Sequence, residues 1–205
     1  MGAVLSLEGL LDQQRVWKGR PQAQPQGLQP TGHAALDTAL PGGGWPPGAL
    51  TEVLLSVEGC GELQLLWPSL ARLTASAERV VLIAPPFIPY APAWQAAGVD
   101  LQWLTLVETA PADALWAAEQ CLRSGSCGAV LCWPHKADDR ALRRLQVAAE
   151  SGQTLAFALR PLQAALNPSP AALRIAIAAR PAQWRVLKCR GGLAPALPIA
   201  CPGRG

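Results

Sequence analysis

Several features that would mark a particular kind of protein are missing from this sequence of 205 residues. It has no run of about 18 uncharged apolar residues, so we expect no membrane span. Its first 20 residues lack a basic start followed by an apolar stretch, which argues against a secretory signal. The six cysteines form no C-x-x-C pair, and the two histidines stand apart from any paired thiols. We therefore expect no zinc site and a reducing, cytoplasmic location.

Charged residues are scarce, at 15% of the chain, and they are unevenly distributed. Residues 1–122 contain five Lys/Arg and eleven Asp/Glu, whereas residues 123–205 contain twelve and three. A basic C-terminal half is compatible with binding to nucleic acid or to an acidic protein. The alternative is a solvated basic face that binds no ligand.

The composition changes along the chain in a way that predicts its organisation. Residues 1–20 have spaced apolar positions and predict a short N-terminal helix. Residues 21–30 form a Pro/Gln linker without periodicity. Residues 31–192 form the predicted core, and residues 193–205 are predicted to be a disordered tail.

Within the core, short apolar runs alternate with helical segments. Uniformly apolar strands in such an alternation are typical of a parallel sheet covered on both faces. The last strands follow one another closely, so we expect part of the sheet to be antiparallel. We predict strands at 51–57, 79–84, 101–107, 129–133, 154–159, 173–178 and 185–189, and helices at 34–40, 63–75, 92–97, 111–123 and 138–151.

The loop after the first strand lies where α/β proteins bind phosphate. A phosphate loop has the pattern GxxxxGK[ST], in which backbone N–H groups surround the phosphates, Lys neutralises charge and the hydroxyl holds magnesium. Aligning Gly61 with the last glycine of that pattern puts Glu62 at the lysine position and Leu63 at the hydroxyl position. Ser56 then replaces the first glycine, and Gly59 lies between. This vestigial phosphate loop disfavours nucleotide binding, because a carboxylate repels a triphosphate.

The other groups that an ATPase needs are also missing. The strand that would supply a magnesium-orienting acid ends in Trp133 and Pro134. The strand that would supply a general base is followed by Pro85 and Pro86. We therefore expect no catalytic residues, no enzyme activity, no cofactor, no metal and no small-molecule substrate. His33 is expected to be a local cap or turn residue.

Three segments resemble parts of the RecA core. The segment TGHAALDTALPGGGWPPGALTEV (31–53) resembles the stretch that leads into its first strand, and YAPAWQAAGVDLQWLTLV (90–107) resembles a later helix and strand. The segment FALRPLQAALNPSPAALRIAIAA (157–179) resembles the region of the second DNA-binding loop, here shortened to about 167–170. The resemblance implies an α/β fold with a RecA-like P-loop NTPase core, a mostly parallel central sheet and a degenerate phosphate loop.

Among proteins of that kind, the chain most resembles the ImuA family and is also similar to the SulA cell-division inhibitors, which bind FtsZ. The run DDRALRRLQVAAESG (138–152) is of a type found in both. Resemblance to ImuA implies a non-catalytic adaptor in SOS-induced translesion DNA synthesis. Its implied partners are an ImuB-like Y-family polymerase homologue and an error-prone C-family DNA polymerase, with RecA and DNA as further candidates. The alternative is a SulA-type inhibitor that binds FtsZ.

Basic residues near the end of the core are the candidates for contact with DNA or with a partner. Arg140, Arg143 and Arg144 are spaced at i, i+3 and i+4, so they share one helix face. Such a face could contact phosphates or could simply be solvated and paired locally. The remaining candidates lie on or beside the last strands: Arg160, Arg174, Lys188 and Arg190.

Overall fold

One mixed sheet organises the residues that the computed structural model describes, which are 29–134, 136–179 and 182–201. Its strands lie in the order β3-β2-β4-β5-β1-β6-β7-β8. The strands from β3 to β6 are parallel, and β7 and β8 are antiparallel to their neighbours. Their bounds are β1 Leu50–Leu55, β2 Arg79–Ile83, β3 Leu104–Val107, β4 Cys127–Cys132, β5 Leu155–Pro161, β6 Leu173–Ala179, β7 Ala182–Cys189 and β8 Ile199–Ala200.

Helices connect the parallel strands, as parallel pairing requires. The α-helices are α1 Ala34–Ala39, α2 Glu62–Ala75, α3 Ala91–Ala96, α4 Ala114–Arg123 and α5 Asp139–Gly152. Two short 3-10 helices, Leu101–Trp103 and Leu162–Leu166, precede β3 and follow β5. Among the described helices, none is long and apolar enough to cross a bilayer.

The sheet buries apolar side chains on both faces, and β1 contributes to each. On one face Val53 and Leu55 belong to a core that includes Leu66 and Leu70 of α2. On the other face Leu50 belongs to a core that includes Leu122 of α4 and Leu145 of α5. All six residues of β1 are buried. This burial explains why its sequence, LTEVLL, is apolar at four of six positions and does not alternate.

The predicted fold class is confirmed at the level of an α/β protein with a mixed, mostly parallel sheet, and the antiparallel end of the sheet was also expected. Two element predictions need correction. The strand predicted at 101–107 begins only at Leu104, because Asp100 caps a 3-10 turn by accepting the Gln102 N–H. The predicted disordered tail contains β8, which pairs with Gln183 and Trp184. The predicted N-terminal helix at 1–20 lies outside the described residues, as does most of the linker.

Candidate functional site

Several loops meet at the carboxyl edge of the parallel strands. Because β1, β2, β4 and β5 run in the same direction, the segments that follow them emerge at the same edge. In open α/β sheets this edge is where ligands bind. It contains the loop after β1, which was predicted from the sequence to be a vestigial phosphate loop, and the proline-rich loop after β2, which we define as residues 84–90.

The loop after β1 is held by the side chain that replaces the expected lysine. Glu62 is the first residue of α2 and is 8% exposed. Its Oε1 accepts the Gly59 N–H at 2.9 Å, and its Oε2 accepts the Gly61 N–H at 3.1 Å. Gly59 and Gly61 have φ of 77° and 106°, a region that only glycine enters at low cost. The loop conformation therefore depends on both glycines and on the carboxylate.

The rest of the loop offers little chemistry. Ser56 is exposed, and Leu63 packs against the core where a magnesium-binding hydroxyl would be expected. Burial, and then the neighbouring Glu62 carboxylate, raise the pKa of the Cys60 thiol. Among the described residues, no group of three or more His, Cys, Asp or Glu side chains could hold a metal ion.

The same edge exposes large apolar side chains. In the proline-rich loop, Phe87, Ile88 and Tyr90 are 68%, 87% and 71% exposed. Beyond β5, Leu166 is 89% exposed, and the loop after β1 exposes Val57. Large exposed apolar patches are often sites of contact with another protein, so this edge is a candidate binding surface. The signal in the sequence is the run PPFIPY (85–90), in which large apolar residues stand among prolines. It was not predicted to be a binding surface.

Arg160 and Arg174 were predicted to contact DNA or a partner, but both side chains are buried. Both pair with Glu52, which is fully buried in the central strand. Arg160 Nη1 lies 2.5 Å from Glu52 Oε1, and Arg174 Nε lies 2.7 Å from Glu52 Oε2. Arg160 also donates to the Ala137 carbonyl, and Arg174 donates to the Ala164 carbonyl. The two arginines thus tie the central strands to the loops at the carboxyl edge and are not available for DNA.

Glu52, the centre of this ion-pair cluster, was not among the predicted site residues. The signal was a single acidic residue inside the apolar run TEVLL. A carboxylate buried in a central strand requires positive partners, since an unpaired buried charge is very costly. The partners themselves are 108 and 122 positions away, so only the strand order reveals them.

The remaining predicted contact residues are exposed, and most have partners. Arg143 pairs with Asp139 at 3.2 Å, and Arg190 pairs with Glu150 at 3.3 Å. Arg144 forms an ion pair with Glu119. Lys188 donates to the Ser169 carbonyl at 2.7 Å, and Arg140 is exposed at the start of α5. Pairing with a carboxylate on the same helix was one of the two alternatives for these arginines, and it is observed for Arg143.

A cleft of about 410 Å³ lies between the start of α5 and the segment at Asn167 and Pro168. Arg143 and Arg160 both line it. Each of these arginines is paired with a carboxylate, Arg143 with Asp139 and Arg160 with Glu52. The cleft therefore offers no unpaired arginine to an anionic ligand.

His33 precedes α1 at the N-cap position, but its side chain makes no cap bond there. Its Nε2 lies 3.2 Å from the carbonyl oxygens of both Gln64 and Leu65 in the first turns of α2. The ring also packs edge-on against Trp184 at 4.5 Å. Burial lowers the pKa of His33. The residue therefore joins α2 and β7 instead of capping its own helix.

No protein-family model matches the sequence. The cell division inhibitor SulA of Pectobacterium carotovorum subsp. carotovorum (strain PC1) is 30% identical over 131 residues, which cover 63% of this chain and 75% of that protein. The cell division inhibitor SulA of Pectobacterium atrosepticum is 29% identical over the same shares. The crystal structure of SulA from Pseudomonas aeruginosa is 28% identical, with a TM-score of 0.46 over 54% of this chain and 97% of that one.

These relatives correct the function expected from the sequence. The translesion adaptor role rested on the resemblance to ImuA, which the comparisons do not confirm, and the relatives carry the name of the alternative. The polymerase partners expected with that role stay an untested prediction. Since the identity reaches 30% across three quarters of a SulA protein, the chain belongs to the SulA family of cell division inhibitors.

Proposed function

We propose that this protein is an SOS-induced inhibitor of cell division that acts by binding FtsZ, a polymer-forming protein, and not by catalysis. The observation that supports it is the 30% identity over 131 residues with a SulA cell division inhibitor. The SulA name fits the SOS response that we expected from the sequence. This reading replaces the polymerase adaptor and retains the idea of a protein that works through a partner.

We further infer that the fold is a RecA-like core with a degenerate phosphate loop. The strand–loop–helix arrangement of β1, the loop after it and α2 has the topology of a phosphate-binding site. Glu62 and Leu63 replace its lysine and its hydroxyl. A site without these groups lacks the means to neutralise a triphosphate and to hold magnesium, so the proposal includes no nucleotide hydrolysis.

The proline-rich loop is the surface we propose for the partner. It presents Phe87, Ile88 and Tyr90 to solvent, and large apolar and aromatic side chains of this kind dominate the binding energy of protein interfaces. Prolines at 85, 86 and 89 limit the conformations of the loop before binding. Less entropy is therefore lost when it is immobilised against a partner.

Two measurements test the proposed function. Production of the protein in bacteria should give filamentous cells, and the purified protein should suppress FtsZ polymerisation in a sedimentation assay. The variant Ile88→Asp should lose both effects, with at least about tenfold weaker FtsZ binding, because it places a charge at the centre of the apolar loop.

The matched control is Val147→Asp. Val147 is also an exposed apolar residue, at 50%, but it lies in the middle of α5, away from the carboxyl edge. This variant should inhibit as the wild type does. Failure of the wild-type protein to bind FtsZ would refute the function. Equal loss of binding in both variants, or in neither, would refute the assignment to the proline-rich loop.

A further inference from the structure

The loop after β1 already contains an anion. Two backbone N–H groups, from Gly59 and Gly61, point at the two oxygens of the Glu62 carboxylate. Successive N–H groups that converge in this way form an anion-binding nest. The carboxylate is also in the first turn of the 14-residue helix α2, where the helix dipole favours negative charge. Both features that attract a phosphate to such a loop are here directed at a side chain of the same chain.

We propose that Glu62 is the internal ligand of this loop and closes it to phosphate groups. A phosphate entering the nest must displace a carboxylate that is covalently tethered beside it and must approach a negative charge. The Glu62 side chain is largely withdrawn from solvent, so the nest is not open to solvent anions in the folded protein. This goes beyond the missing lysine, because the lost positive charge is replaced by a group that fills the site.

The same contact sets the shape of the loop. Gly59 is exposed, and a Cβ added there would meet nothing within 4 Å, so tertiary packing does not hold it in place. The bonds from Gly59 and Gly61 to Glu62 instead fix the loop from within. The inference does not depend on the proposed partner, since it concerns only the loop and its own side chain.

The first test is amide hydrogen exchange at Gly59 and Gly61, measured by NMR in the wild type and in Glu62→Ala. The internal ligand requires exchange at both amides to be at least about tenfold faster in the variant, because both N–H groups lose their acceptor. The matched control is Glu108→Ala, which removes an exposed carboxylate that follows β3 at the same edge. It should leave both exchange rates unchanged.

The second test adds inorganic pyrophosphate and follows the melting temperature. Glu62→Ala should be stabilised by pyrophosphate, because an anion that binds only the folded state raises its stability. The wild type and Glu108→Ala should not respond. A wild-type response would show that the loop is open, and unchanged Gly59 and Gly61 exchange in Glu62→Ala would show that the carboxylate does not hold them. The absence of any pyrophosphate effect in Glu62→Ala would overturn the claim that Glu62 occupies a phosphate-binding nest.

Discussion

At the residue scale, Glu52 is a buried charge that lies between two buried arginines. It is fully buried, and its partners Arg160 and Arg174 are 4% and 7% exposed. Moving such charges out of water is costly, so the cluster is not by itself a large source of stability. Its effect is positional, since the two arginines also bind the carbonyls of Ala137 and Ala164 in neighbouring loops. The cluster therefore links the centre of the sheet to the carboxyl edge.

Substitution of Glu52 is expected to be severe. Glu52→Gln should lower the free energy of unfolding by about 3–5 kcal/mol, because two buried guanidinium groups lose the carboxylate with which both pair. Urea denaturation followed by circular dichroism measures the difference. As a control, Asp139→Asn breaks an exposed pair with Arg143 and should cost less than about 1 kcal/mol. Similar losses in the two variants would mean that the arginines find other partners at little cost.

At the scale of elements, helix α2 contains a proline in its interior, and a residue outside the helix replaces the hydrogen bond that the proline cannot donate. Proline has no N–H, so Pro68 leaves the Gln64 carbonyl without its usual helical donor. His33 Nε2 lies 3.2 Å from that carbonyl oxygen. With its pKa lowered, the ring is neutral at pH 7, and two carbonyl neighbours place its proton on Nε2 as a donor. The segment before α1 therefore completes the hydrogen bonding of α2.

This compensation predicts that His33 and Pro68 are coupled. His33→Ala should destabilise the wild type more than it destabilises a Pro68→Ala background, in which residue 68 donates its own N–H to Gln64. We expect a coupling energy of about 1 kcal/mol, the size of one hydrogen bond. Urea denaturation of the four proteins above the ordinary histidine pKa of 6.5 gives the cycle. Strict additivity would show that the contact of His33 with the Gln64 carbonyl does not compensate for the N–H that Pro68 lacks.

At the scale of the whole molecule, the sheet joins the parallel and antiparallel parts into one structure. Strand β1 pairs with β5 on one side and with β6 on the other, and β6 continues into β7. The core on the α2 face includes Leu82 of β2 as well as Trp184 of β7. Within the described residues, the parallel and antiparallel strands therefore share one sheet and one core and do not form separate domains.

Unfolding should therefore be a single cooperative transition. Tryptophan fluorescence reports on side chains such as the fully buried Trp45 and Trp184, and far-ultraviolet circular dichroism reports on the helices. The urea midpoints from the two signals should coincide, as they do for a two-state domain. An earlier midpoint for fluorescence would indicate that packing around the tryptophans is lost before the helices unfold, and that unfolding is not two-state.

Local features of the sequence determined a large part of this protein. Apolar runs alternating with helical periods predicted an α/β fold with a mostly parallel sheet, because burial on both faces imposes that pattern on each strand separately. The presence of Glu62 and Leu63 after a glycine-containing loop was also visible, since it concerns adjacent residues. The function was less accessible, because the sequence resembles both ImuA and SulA proteins, and the role implied by the first resemblance is not supported by the relatives.

Only the tertiary structure decided which polar groups meet. Arg160 and Arg174 looked like exposed cations beside a basic surface, but the strand order brings both to Glu52 in the centre of the sheet. His33 looked like a local cap, but it reaches a helix 31 positions away. The sequence reveals which charges and donors exist, whereas their partners depend on long-range strand pairing and packing. For that reason the basic composition predicted a basic surface, whereas the fold buries two of these residues, Arg160 and Arg174.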